Sequence, residues 1–272
     1  MDKLNSKKNP LSKELYFLNP VVIEDLKRFG NKNDGGYVLS ERAVLLTEAM
    51  ISMGINDDWS LEAEVLQLKP EIKLDAYDHT ISSMKFRREL KNEMYKLLFF
   101  RSSPVRVWTK VKKYYGYVTF FKKSVTHYQN RIFDRINYEY DTTINLCFEK
   151  IHADKNVFIK MDIEGAEYRA LPQLLAFSPR IHMLAIEFHE TAPHRKKFEE
   201  IIKALQEYFE IVHIHGNNDG GVAEDGLPET LEITMLNKML LKYPLTYRNV
   251  LPIPNLDAPN AAELADLPLI FK

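Results

Sequence analysis

Six short apolar, β-branched runs, at residues 49–54, 72–78, 157–161, 181–189, 211–215 and 231–236, recur along the chain. Helical spacing separates several of them. Residues 59–68 place Leu61, Val65 and Leu68 on one face, and Pro70 stops that pattern. Residues 168–177 read as a helix with Pro172 in its first turns, and residues 194–209 carry Phe198, Ile201, Ile202, Leu205 and Phe209 on an apolar face. Strands that alternate with helices in this way form a mostly parallel sheet covered on both faces. The class is therefore α/β, and its chemistry is expected at the carboxyl ends of the strands.

A chain of 272 residues suits one large α/β domain over 1–272, or such a domain with an insertion. A net charge of -1 argues against a general polyanion binder. The single cysteine, Cys147, excludes an intrachain disulfide and a cysteine-built zinc site, which fits a cytoplasmic protein. No apolar run approaches the roughly 18 residues of a membrane span. Residues 1–20 read as an N-terminal tail, because 1–8 are polar and lysine-rich and lack the apolar stretch of a signal peptide.

Residues 85–131 break the rhythm. They hold 13 Lys or Arg against Glu89 and Glu93, with aromatic residues interleaved. Helical spacing runs over 83–100, and Pro104 and Gly116 are expected to interrupt the stretch after it. The segment reads as an insertion or lid over the carboxyl edge of the sheet. Its positive excess suits an anionic acceptor gripped by Arg87, Arg88 and Lys91, with peripheral membrane contact as a further use. No recognised nucleic-acid-binding module is present. A charged, solvated helix face is the plainer reading.

The acids at strand ends carry the chemistry. The run at 157–161 ends in Asp162-Ile163-Glu164-Gly165-Ala166-Glu167, and Asp162 and Glu164, two apart, point the same way. Carboxylates held together there are costly unless a base, a substrate or a metal uses them. Gly54 ends the first strand and lets backbone approach a ligand closely. Asp78 ends the second, where a dinucleotide fold sets an acid on a ribose diol; it reads equally as a helix cap. His189, His213 and His215 sit at later strand ends, followed by Asn217 and Asn218. Asp162, Glu164, His189 and His215 are candidate catalytic groups, and the same four could hold a divalent ion. His213, Asn217 and Asn218 could shape an acceptor pocket or merely build a turn.

Three stretches together, Asp34-Gly35-Gly36-Tyr37, Met53-Gly54-Ile55-Asn56-Asp57-Asp58-Trp59-Ser60-Leu61-Glu62 and Lys160-Met161-Asp162-Ile163-Glu164-Gly165-Ala166-Glu167, resemble the FkbM-type S-adenosylmethionine-dependent methyltransferases. The late stretches at 213–218 and 228–234 resemble a branch of that group. The resemblance spans about residues 28–237, the basic segment apart. It implies a Rossmann-like class I methyltransferase fold with a seven-stranded sheet. It places S-adenosylmethionine near Asp34, Gly54, Asp57 and Glu62, with Asp78 on the ribose and Asp162 beside donor or acceptor. The Gly-x-Gly element common in first loops of methyltransferases is missing here.

These readings converge on an O-methyltransferase acting on a carbohydrate or phosphorylated metabolite, in surface-polysaccharide or natural-product biosynthesis. A metal-dependent glycosyltransferase, with Asp162 and Glu164 in an acidic metal motif, is the rival enzyme. A non-catalytic methyltransferase-like binding module is the rival outside enzymes.

Overall fold

The computed structural model describes residues 10–271, so the tail reading of residues 1–8 lies outside it. The rest of the 1–20 segment is not loose. Leu11, Leu15 and Leu18 are buried in the core, and Lys13–Leu18 forms a short 3-10 helix. The three leucines are spaced four and three apart, which gives the segment one apolar side although residues 1–8 before it are polar.

Seven strands form the central sheet: β1 (Ala49–Met53), β2 (Lys73–Tyr77), β3 (Val125–Tyr128), β4 (Val157–Met161), β5 (Ile181–Phe188), β6 (Phe209–Gly216) and β7 (Leu231–Asn237). Their order is β3-β2-β1-β4-β5-β7-β6. The first five pair in parallel, and β7 runs antiparallel to both β5 and β6. The order reverses between β1 and β4, which is where an open α/β sheet leaves a crevice beyond its carboxyl ends. Alternate residues serve opposite faces. Ile51, Ile159 and Leu184 join one core, and Met50, Phe158 and Met183 join the other. Both faces are covered, so the strands read as continuous apolar runs.

Helices flank the sheet: α1 (Glu41–Leu46), α2 (Ser60–Leu68), α3 (Ser83–Leu98), α4 (Pro104–Phe120), α5 (Ile144–Phe148), α6 (Glu167–Ala170) and α7 (Arg195–Leu205). A hairpin of Leu26–Phe29 with Tyr37–Ser40 precedes α1, and Asp34-Gly35-Gly36 lies in its turn. The helix expected over 168–177 is one α turn followed by the 3-10 stretch Leu171–Arg180, because Pro172 and Pro179 deny the backbone the donors of an α-helix. Phe209 opens β6 rather than closing α7.

The segment 85–131 is not one insertion. Residues 125–128 are edge strand β3, and α3 with α4 forms a helical hairpin inside the β2-to-β3 crossover. Neither Pro104 nor Gly116 interrupts a helix. Pro104 stands at the start of α4, where its missing N–H costs nothing, and the Ser103 hydroxyl accepts from Arg106 N. Gly116 lies under Trp59, where an added Cβ would stand 3.2 Å from the indole.

Candidate functional site

Register sets the rim. Met53 pairs with Tyr77 on one side and Met161 on the other, so Gly54, Asp78 and Asp162 emerge side by side. Gly54 has φ +73, and a Cβ there would lie 1.5 Å from the Asp162 carbonyl oxygen. Only glycine lets the first loop lie this close to the end of β4. Glu164 takes φ +54, a region that disfavours side chains, and Gly165 follows at φ +93. Backbone held this way at a rim full of acids is the kind of strain found at functional sites.

Two clefts meet at this point. The first, about 480 Å³, is lined by Gly54, Asp78, Ile132, Phe133 and Ile163, among others. Asp78 is nearly buried and accepts from Asn56 N at 2.7 Å, Thr80 N at 2.6 Å and Thr80 Oγ1 at 2.6 Å. A carboxylate has about four acceptor sites, so about one remains for a ligand. Arg131 flanks this cleft, paired with Asp141 at 2.9 Å and lying against the rings of Phe133 and Tyr140. The second cleft, about 710 Å³, is lined by Asp34, Glu187, His189, Asn217 and Asn260, among others. Asp162 and Glu164 line both clefts.

His189 projects into the second cleft from the end of β5. Its Nδ1 lies 3.2 Å from Glu167 Oε1, and Glu167 is fully buried with that oxygen also accepting from Ile163 N. Its Nε2 faces the junction, 3.5 Å from Glu164 and 3.9 Å from Asp162. A buried carboxylate on one ring nitrogen fixes the orientation of the other. Burial alone would lower the pKa of His189, but Glu167, Glu187 and Asp162 outweigh it and raise it to about 9. Glu187 is pushed up to about 8 by burial, with Asp162 and Glu232 adding to the rise, while Asn217 donates to it at 3.0 Å. Asp162, Glu164 and His189 each offer one ligand atom within 4.8 Å of the others, a spacing that a divalent ion could bridge.

Lys160 supports the junction from below. It donates to the Gly54 carbonyl at 2.7 Å and contacts Asp162 at 3.3 Å. Burial would lower its pKa, but Asp162, Glu62 and Glu187 together raise it, so it stays charged among acids. Lys160 and Glu167 are absent from the catalytic candidates read from sequence. Their signal was the pair of charges flanking Asp162-Ile163-Glu164 inside an otherwise apolar strand-and-helix pattern.

Several candidates stand elsewhere. Glu62 is buried and accepts from Ser52 Oγ at 2.5 Å, so it braces β1 and lines neither cleft. Asp57 is exposed and pairs with Lys113 of α4 at 2.9 Å. Asp34 lines the second cleft rather than the one beside Gly54. His215 is not available as a base. It is buried between Asp266 at 2.9 Å and Glu232 at 3.4 Å. Burial opposes its charge, but these acids raise it to about 10. The cluster that could hold an ion comprises Asp162, Glu164 and His189 and does not include His215. His213 is buried against Asp257 at 2.9 Å. Asn218 donates to carbonyls of Ala261 and Ala265 and accepts from Ala261 N. The chain after residue 253 folds back over β6 and takes these three as internal partners. Arg87, Arg88 and Lys91 are exposed on α3 and line neither cleft, so they do not clamp an acceptor there.

A central sheet in this order, with one antiparallel strand near its edge, is the Rossmann-like fold of class I methyltransferases. Residues 40–210 match the family model described as the methyltransferase FkbM domain; the chain belongs to that family and is an S-adenosylmethionine-dependent methyltransferase. No curated protein matches the sequence. Among solved structures, a precorrin-6y C5,15-methyltransferase from Geobacter metallireducens GS-15 is similar at 13% identity and TM-score 0.37, covering 73% of this chain and 86% of that one. A fibrillarin pre-rRNA processing protein from Methanococcus jannaschii is similar at 9% identity and TM-score 0.37, covering 72% and 69%.

Proposed function

We propose that the first cleft holds S-adenosylmethionine, that the second holds a carbohydrate, and that a sugar hydroxyl is methylated where they meet. The observation that carries this is the junction itself: Asp162 and Glu164 line both clefts, and His189 faces them from the second. The first cleft fits the cofactor. Asp78 has acceptor capacity for a ribose hydroxyl, and Ile132, Phe133 and Ile163 offer apolar surface to a purine. When bound there, the cofactor supplies a methyl group on a sulfonium for in-line displacement.

The chain's residues supply alignment, exclusion of water and proton removal. His189, oriented by Glu167, accepts the hydroxyl proton at Nε2. Asn217 and Glu187 lie beside it to hold neighbouring hydroxyls. Asp34, Asp162, Glu164, Glu187, Asp219 and Glu263 give the second cleft six acidic side chains against His189, and among the described residues no Lys or Arg lines it. That lining suits a polyol, which donates hydrogen bonds, and opposes a phosphorylated or otherwise anionic acceptor. A role in surface-polysaccharide or natural-product biosynthesis is consistent with such an acceptor.

The test is methyl transfer from labelled S-adenosylmethionine to a panel of neutral sugars, sugar phosphates and uronic acids. Turnover on neutral sugars, lost in His189→Gln, supports the proposal. Turnover confined to the phosphorylated or acidic members contradicts it.

A further inference from the structure

The α3–α4 hairpin has no part in either cleft, yet it is built with care. Its base is anchored: Phe86 and Tyr117 are buried and pack on Trp59 with ring centroids 6.3 and 6.2 Å away. Its far end is held too. Glu93 is nearly buried between the helices, accepts from the Ser102 hydroxyl and pairs with Lys96 at 3.3 Å. At 1.5 Å per residue, the 16 residues of α3 carry that end roughly 24 Å along the helix.

The outward faces are unpartnered and graded. On α3, Met84, Arg88, Lys91, Tyr95 and Leu98 follow helical spacing and are all exposed. On α4, Val105, Trp108, Lys112 and Tyr115 do the same. Exposed apolar residues crowd the tip, while Met84, equally exposed, stands at the base of α3. Leu98 is 76% exposed, Phe100 98% and Val105 73%. Phe100 takes φ +54, where glycine or asparagine would be the unstrained choice. The cations sit at the tip's edge and further back: Arg87, Arg88, Lys91 and Arg101 are exposed and pair with no carboxylate among the described residues.

We propose that this hairpin seats the protein on an anionic lipid bilayer. An exposed apolar tip, with Arg101 at its edge, Trp108 one turn into α4, and Lys91, Arg88 and Arg87 progressively further back along α3, suits a bilayer surface: apolar residues enter the acyl boundary, aromatic rings lie at the headgroups, and cations meet lipid phosphates. The same surface suits a second copy of the chain poorly, because two such faces would oppose cation to cation. The inference is independent of the methyl-transfer reading, since it rests on the hairpin alone.

Flotation of the full chain with vesicles tests it, using phosphatidylcholine alone or mixed with phosphatidylglycerol. The wild type is expected to float with the mixed vesicles and not with the neutral ones. Leu98→Ser/Phe100→Ser and Arg87→Glu/Arg88→Glu/Lys91→Glu should each lose roughly tenfold or more in partition. Both alter exposed positions, and unchanged adenosylhomocysteine binding would show each variant folded. Trp108 emission should shift to the blue on the mixed vesicles, and Trp108→Phe should lose that shift while still floating. Absence of flotation, or equal partition of the variants, overturns the proposal. So does self-association, or binding to single-stranded RNA, that survives with vesicles absent and disappears in Leu98→Ser/Phe100→Ser.

Discussion

His189 and His215 are chemically alike and stand at the carboxyl ends of β5 and β6, with β7 between them, yet their surroundings differ sharply. His189 keeps one nitrogen toward a cleft; His215 has both nitrogens against acids, the buried Glu232 and the half-buried Asp266. A base must be neutral to act, and Glu167, Glu187 and Asp162 overcome burial to hold the His189 pKa near 9. The rate on a sugar acceptor should therefore rise with pH toward about 9 in wild type. In His189→Gln that limb should vanish and kcat/KM should fall about 10²–10⁴-fold; an unchanged pH profile would remove His189 from the proton path. For His215 the folded pKa lies above the unfolded one. Its contribution to stability is thus complete below the ordinary histidine value and lost as pH rises through about 10. Thermal melts of His215→Gln should lack this part of the alkaline decline seen in wild type.

At the scale of elements, the sheet was legible except for one of its two edge strands. Six of the seven strands show as apolar runs because both faces of the sheet are covered. β3 escaped because it is a poorly covered edge strand, with only Val125 buried and Thr126, His127 and Tyr128 half-covered, whereas the other edge strand, β6, is buried along nearly all its length. The rim acids Asp78 and Asp162 were readable from strand ends, since register alone brings them together. The roles of His213, His215 and Asn218 were not, because their partners lie in the chain's last turns; His215 and Asp266 are 51 residues apart. The contact between the first loop and β4 was equally silent in sequence. Gly54→Ala tests it: a Cβ 1.5 Å from the Asp162 carbonyl must push the two apart. The expected outcome is a loss of about 1–3 kcal/mol in stability with weakened adenosylhomocysteine binding. A variant with wild-type melting and affinity would show that the loop does not need this approach.

At the scale of the molecule, the work is divided, under the proposed function, between the two sides of the rim. The switch point between β1 and β4 opens the cleft assigned to the cofactor, and the folded-back end of the chain walls the cleft assigned to the sugar through Asn260 and Glu263. No helix among the described residues is long and apolar enough to cross a membrane. With His189 as the base, a chelator should leave turnover intact. Turnover lost to EDTA and restored by Mg²⁺ or Mn²⁺ would instead make Asp162, Glu164 and His189 ion ligands.

Isothermal titration of adenosylhomocysteine into wild type, Asp78→Asn and His189→Gln separates the two clefts most directly. A nucleoside diphosphate with Mn²⁺ serves as the competing ligand. The predicted result is binding of adenosylhomocysteine alone, weakened by ~1–3 kcal/mol in Asp78→Asn through its lost charged hydrogen bond, and unchanged in His189→Gln. Diphosphate binding without adenosylhomocysteine binding, or a loss in His189→Gln with none in Asp78→Asn, would contradict the division of the rim between donor and acceptor.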